Sequence, residues 1–160
     1  MVTKKTSQEG RQALTGRLML AMRRSSAAGV LHGQAIARRV GINSSDLECL
    51  DLILINGPST AGEIARRTGL TSGAVTGLID RLERLGLVER MADPKDRRKV
   101  LVRVCEDKIA PIAALFAPLE KAMQALLASY SRDELRTLTD FSERAGAFLL
   151  ARVAELNDGK

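Results

Sequence analysis

Cysteine, histidine and aromatic side chains are all scarce in this sequence, and each shortage closes off a class of function. The 160 residues include two cysteines, one histidine, one tyrosine, three phenylalanines and no tryptophan. Cys49 and Cys105 form no CxxC pair and His32 stands alone, so no zinc ligand set is present and no metal or other cofactor is expected. Both cysteines sit among apolar neighbours, the pattern of buried structural thiols. So few aromatics leave little with which to stack the bases of RNA or of a single strand. Enzyme chemistry is also unsupported, because there is no nucleophile with a histidine base, no phosphate loop and no paired carboxylates in a plausible cleft. No apolar run approaches the ~18 residues of a membrane span, and the N-terminus lacks a hydrophobic signal core. The expectation is a cytoplasmic protein that is not an enzyme and has no membrane partner.

Positive charge is what the chain has in excess, and it is unevenly placed. Lys and Arg number 25 against 19 Asp and Glu, a formal charge of +6. Residues 1–58 hold eight basic against four acidic side chains, residues 59–104 ten against six, and residues 105–160 seven against nine. A basic front and middle with an acidic tail suggests one side facing a polyanion and another facing elsewhere. The length suffices for one domain with a proper core and no covalent staples.

Residues 1–10 (MVTKKTSQEG) are polar and basic, and are expected to fray. From Arg11 onward Leu14, Leu18, Ala21 and Met22 recur at helical spacing, to about Ala28. Gly29 and Gly33 weaken the pattern, and Ala35 to Val40 resume it before Gly41. One long helix, with or without a kink, or two consecutive helices would satisfy this stretch. Asn43-Ser44-Ser45 supplies N-cap residues, and Ser45 with Glu48 has capping-box spacing. The helix that follows, Asp46 to Ile55, is apolar on most sides (Leu47, Leu50, Leu52, Ile53, Leu54) and predicts burial. Asn56-Gly57-Pro58 ends it.

Thr60 and Glu63 form a second capping box, opening a short helix whose Ile64 and Ala65 point inward. Gly69 allows a left-handed turn, Leu70 plugs the gap between helices, and Thr71 or Ser72 caps a longer helix that runs through Leu85 to Gly86. A small Ala65 and a turn glycine four residues later are what two steeply crossing helices need. On the second helix Val75, Leu78, Ile79, Leu82 and Leu85 make the buried stripe. The opposite face shows Ser72, Gly73, Ala74, Thr76, Gly77, Arg81 and Arg84, small and uncharged in front and basic behind. Two exposed glycines each cost about 1 kcal/mol relative to alanine, which close approach to a bulky partner would explain. A DNA major groove admits such a helix, with hydroxyl side chains at base edges and arginines on phosphates or guanines.

Leu87 to Met91 and Lys99 to Val104 read as strands, with Val100, Val102 and Val104 on one face. Between them Pro94 and the aspartates make a hairpin loop loaded with Lys95, Arg97, Arg98 and Lys99, and Asp96 is placed to hold one arginine by a salt bridge. A basic hairpin behind a helix-turn-helix suits an adjacent minor groove. From Ile109 an alternating three–four spacing (Ile112, Phe116, Leu119, Met123, Leu126, Tyr130) gives the seam of a helix packed along another. Pro111 suits its first turn and Pro118 is expected to kink it. Ser131 and Glu134 form a third capping box before a last helix bearing Leu135, Leu138, Phe141, Ala145, Phe148, Leu149, Val153 and Leu156. The two helices carry more apolar surface than a small winged core can cover, so a helical dimer interface, completed by the N-terminal helix, is expected.

The segments SSDLECLDLILINGPSTAGEIARRTGLTSGAVTGLIDRLERLGLVER and DPKDRRKVLVRV resemble the MarR family of bacterial transcription regulators. The resemblance implies a mainly α fold with a small β-hairpin wing, a winged helix-turn-helix at 41–106 between dimerisation helices at 1–40 and 107–160. It also implies a homodimer on a pseudo-palindromic double-stranded operator, usually a repressor released by a small ligand. Ser72 to Thr76 and Arg81 then fall at the major groove, and Thr60, Thr71, Gly77 and Arg84 join them as DNA-binding candidates. Lys95, Asp96, Arg97, Arg98 and Lys99 fall at the wing tip, with Arg98 the expected inserted residue and Arg97 next. Peroxide-sensing members carry a reactive cysteine in the first helix, and none lies there. Members that bind phenolic ligands have a pocket that Met19, Met22, His32 and Phe116 are candidates to line. A winged-helix protein–protein interaction module without DNA binding is the alternative, disfavoured by the basic wing and the small-residue helix face.

Overall fold

The computed structural model describes residues 3–158, which divide into two compact units, 1–44 and 45–160. The first unit is one helix, α1 (Thr3–Val40), continuous through Gly29 and Gly33 and beginning inside the stretch expected to fray. α1 carries four glycines in its 38 residues, Gly10, Gly16, Gly29 and Gly33, and each costs about 1 kcal/mol relative to alanine without breaking the hydrogen-bond ladder. Gly41 ends the helix in the left-handed region at φ 79°, and its N–H and that of Ile42 both donate to the Ala37 carbonyl.

The second unit starts with α2 (Ser44–Asn56). Because the helix begins at Ser44, Ser45 lies in its first turn and does not serve as the cap. Asp46, Leu47, Cys49, Leu50 and Ile53 are buried, while Leu54 and Ile55 face outward, so burial covers one side of this helix and not most of it. Burial, with the Asp46 charge second, pushes the Cys49 thiol up to about 11. Gly57 makes the stop at φ 76°.

A two-residue strand, β1 (Ser59–Thr60), then leads into α3 (Ala61–Thr68) and α4 (Ser72–Arg84), followed by β2 (Val88–Ala92) and β3 (Val100–Val104). The strands form one antiparallel sheet in the order β1-β3-β2. Val102 is its centre, opposite Ser59 on one side and Arg90 on the other. The two hairpin strands begin one residue later than expected. The third strand was not anticipated, since two residues carry no periodicity and their pairing depends on a partner more than forty positions away. Val102 points into the core as the alternation requires, but Val100 stands exposed near the loop.

Ile53, Ile64, Val75, Leu78, Ile79, Leu82, Val88 and Val102 make the fully buried centre of the winged core. Leu85, expected in the stripe, is 54% exposed, and Leu70, expected to plug the helix–helix gap, is also exposed. Both stand at helix ends, where the chain turns away and the periodic stripe has nothing left to cover it. α5 (Glu106–Leu127) buries Ile109 and Ile112 and holds both prolines inside; Pro111 lies in its second turn, one turn later than expected. Leu119, Met123 and Leu126 along its seam are exposed. Ser131 and Glu134 cap α6 (Arg132–Asp158) reciprocally, the Glu134 carboxylate accepting from the Ser131 N–H at 2.8 Å and from its hydroxyl at 2.7 Å. None of the described α6 side chains is buried.

Candidate nucleic-acid interface

The helix-turn-helix is set by local hydrogen bonds that its sequence specifies. Thr60 Oγ1 accepts from the Glu63 N–H at 3.2 Å, and the Glu63 carboxylate accepts from the Thr60 N–H at 2.7 Å and its hydroxyl at 2.9 Å. These donors, the backbone N–H first, hold the Glu63 carboxyl below its ordinary range. Gly69 turns the chain at φ 70° and donates to the Ala65 carbonyl. Thr71, not Ser72, caps α4, its hydroxyl accepting from the Ala74 N–H at 3.3 Å. Four fully buried residues, Val75, Leu78, Ile79 and Leu82, then fix which way α4 faces.

That orientation leaves Thr71, Ser72, Gly73, Ala74 and Thr76 exposed on one face, with Gly77 beside them partly covered. No heavy atom lies within 4 Å of where a Cβ on Gly73 would stand. The face is open for want of side chains, as an element that admits another molecule closely must be. Thr76 returns its hydroxyl proton to the Ser72 carbonyl at 2.9 Å. Behind this face Arg84 is exposed, its Nε donating to the Asp80 carbonyl at 3.3 Å.

Arg81 is placed differently from a free surface arginine. Its Nη2 and Nε donate to the two carboxylate oxygens of Asp46 at 2.7 and 3.2 Å. Asp46 is itself only 2% exposed, whereas the Arg81 side chain remains 40% exposed. The paired carboxylate raises the Arg81 pKa above its ordinary value. No sequence pattern announces this pair, because the residues are 35 positions apart; an acid in the first turn of an apolar helix was the one available hint.

Across the core, Arg90 on β2 bonds Asp80 at 2.6 Å and pairs with Glu83, tying the sheet to α4. Glu89 and Arg103, opposite each other in the β2–β3 register, form a further pair. Arg67 Nη1 donates to the buried Ser59 hydroxyl at 2.9 Å, fastening α3 to β1.

The wing is shaped by its two aspartates. Asp93 accepts at Oδ1 from the Lys95 N–H at 2.8 Å, and Asp96 accepts at Oδ1 from both the N–H and the Nε of Arg98 at 3.2 Å. The Asp93 N–H to Lys99 carbonyl and Lys99 N–H to Asp96 carbonyl bonds, 3.0 and 2.8 Å, close the hairpin. Asp96 therefore holds Arg98 by its N–H and its Nε, and the Arg98 side chain as a whole remains 92% exposed. Arg97 and Lys99 are exposed and have no ion-pair partner among the described residues. Thr60, Lys95 and Lys99 share one groove of about 590 Å³ with Glu63 and Arg66, so the root of α3 and the base of the wing adjoin.

The candidates for a small-ligand site belong to two units. Met19, Met22 and His32 lie on α1. Phe116 lies on α5, lining a cavity of about 200 Å³ with Leu47, Leu50 and Leu54 of α2 and Ile109 and Ile112.

A capped helical pair, a helix with a bare outer face and an antiparallel basic hairpin define a winged helix-turn-helix DNA-binding regulator. The chain belongs to the MarR family, whose model matches residues 40–99. It is 40% identical over 116 residues to the HTH-type transcriptional regulator YcgE of Bacillus subtilis, covering 72% of this chain and 75% of that one. A MarR family protein from Bacillus stearothermophilus shares the fold with a TM-score of 0.62 at 24% identity, over 84% of this chain and 95% of the other. A mutant of S. aureus MepR bound to an oligodeoxyribonucleotide does so with a TM-score of 0.55 at 19% identity, over 82% and 97%. The family consists of non-enzymatic DNA-binding transcriptional regulators.

Proposed function

We propose that this chain represses transcription as a homodimer on a pseudo-palindromic operator, and that a small molecule releases it. The observation that carries the reading is the pairing of two exposed probes on one rigid core. The α4 face from Thr71 to Gly77 is bare and uncharged, suited to base edges in a major groove, and the Arg98 tip is positive and projecting, suited to a narrow minor groove. Lys95, Arg97, Lys99 and Arg84 flank them as phosphate contacts.

The homodimer is supported by what the single chain leaves uncovered. Leu14 and Leu18 on α1, Met123 and Leu126 on α5, and Phe148 and Leu149 on α6 are all exposed. Together they exceed what a monomer in water sustains. By length and a mean hydropathy of 1.2, α5 would also pass as a membrane span. Glu120 and Lys121 stand side by side within it, and an ionised group at bilayer depth costs about 2.5–3.5 kcal/mol or more. A helix–helix seam in the cytoplasm accounts for the same residues without that cost. The cavity at Phe116 supports a ligand site between α2 and α5. An inducer there acts only if it binds the DNA-incompetent state more tightly.

Selection from a randomised duplex pool tests the reading. The expected product is an inverted repeat whose half-sites lie about 34–36 Å apart, one helical turn. Binding should weaken steeply with salt, and the complex should hold two chains. Failure to retain any duplex at low salt would sink DNA reading in favour of a protein-binding winged helix.

A further inference from the structure

We infer that Asp46 is a positioning residue for DNA recognition, holding Arg81 as a preset donor on the recognition helix. This rests on the reading that α4 enters DNA. An exposed arginine near the end of a helix ordinarily samples many rotamers, and ordering it on binding costs about 0.5–1.5 kcal/mol. Here both carboxylate oxygens of a nearly buried aspartate take its Nε and Nη2. A bidentate pair of this kind fixes the plane of the guanidinium as well as its position.

The remaining terminal nitrogen is the one turned toward the bare face. Nη1 of Arg81 lies 3.8 Å from where a Cβ on Gly77 would stand, and beyond the glycine's chain neighbours and the helix's own backbone nothing else comes within 4 Å of that point. The guanidinium therefore lies back along α4, over the gap that glycine leaves. Its fork toward the outside is reduced to the Nη1 hydrogens and one on Nη2, enough for an acceptor on a base edge in the groove, the kind of contact that carries sequence. Because the carboxylate neutralises the guanidinium, the pair adds direction more than charge. That separates it from Arg97 or Lys99, whose contribution is charge with little fixed direction. α3 repeats the spacing in Gly62 and Arg66, with Nη1 3.9 Å from the Gly62 Cβ position, but among the described residues no carboxylate pairs with Arg66.

A view based on net charge makes the opposite forecast, which gives the test its force. Asp46→Asn removes one negative charge close to DNA, so electrostatics alone predicts tighter binding to any duplex. Positioning predicts that affinity for an operator recovered from a randomised pool by the unaltered protein falls about tenfold. Affinity for a scrambled duplex of the same composition should not fall at the same salt. In an Arg81→Gln background the Asp46→Asn change should then have no effect on either duplex, because Asp46 acts only through Arg81. Arg81→Lys keeps the charge but loses the two-pronged edge, and should show the same selective loss; it decides the matter alone if Asp46→Asn does not fold. Operator affinity that is unchanged or higher in Asp46→Asn, or lost in parallel on both duplexes, would overturn the inference. So would an Arg81→Lys protein with the original discrimination. If the unaltered protein selects no duplex at all, the DNA reading itself has failed and the inference falls with it.

Discussion

Between Ser59 and Val104 most large apolar side chains are covered by the same chain, whereas from Leu119 onward none of the described ones is buried. Both regions are amphipathic and each holds a capping box, Thr60–Glu63 in one and Ser131–Glu134 in the other, so the contrast is not one of local propensity. The winged core closes on itself: α3, α4 and three strands surround Ile64, Val75, Leu78 and Val102. The later helices present long apolar seams and leave them open. A segment that forms its own helices and leaves its apolar face bare is finished as secondary structure and unfinished as tertiary structure. In a family of DNA-binding regulators, this divides the labour. Under the proposed dimer, the core supplies the contact surface and the flanks set how many such surfaces act together.

The division can be attacked from either side. The largest effect is expected from Leu126→Asp combined with Phe148→Asp. The protein should sediment as a monomer, and operator affinity should drop by about 10²–10⁴ as the second half-site ceases to be linked. A dimer that survives both charges would erase the distinction. Leu78→Ala strikes the other region, and should destabilise the core by about 2–5 kcal/mol in denaturant titration. Arg98→Ala should weaken operator binding by about tenfold, with sedimentation and melting unchanged, because its side chain is 92% exposed. An undiminished gel-shift affinity would remove the wing from the interface. The smallest effect should come from Thr60→Ala, about 1 kcal/mol for the lost cap. Its dependence on pH follows from Glu63, whose folded carboxyl is held below its ordinary range by the same cap. The stabilisation is fully present above the ordinary glutamate value, about 4.3, and is lost as pH falls through the lower folded value. The Thr60→Ala deficit should therefore shrink in acid.

What the sequence disclosed follows the range of the interactions. The Thr60–Glu63 and Ser131–Glu134 boxes and the Gly69 turn are contained within a few residues, and composition at fixed offsets specifies them. The wing followed for the same reason, including an arginine held by Asp96, which proves to be Arg98. β1 did not, because Ser59 becomes a strand residue only by facing Val102. Nor did Asp46, which reads as a helix-start acid until folding sets it against Arg81. Leu70 and Leu85 show the opposite error, since periodicity continues a stripe past the point where the partner surface stops.

Cys49 has a consequence for measurement. Its side chain has no exposed surface, and its thiol is pushed up to about 11, so near pH 8 only about one molecule in a thousand would hold the reactive thiolate even with access to reagent. Cys105, at the junction of β3 and α5, is partly exposed. A thiol reagent added to the native protein should therefore modify Cys105 first. Modification of Cys49 should wait for the helix beneath it to open. The ratio of the two labelling rates is an internal clock for transient opening of the winged core, and it can be read with and without duplex by mass spectrometry alone.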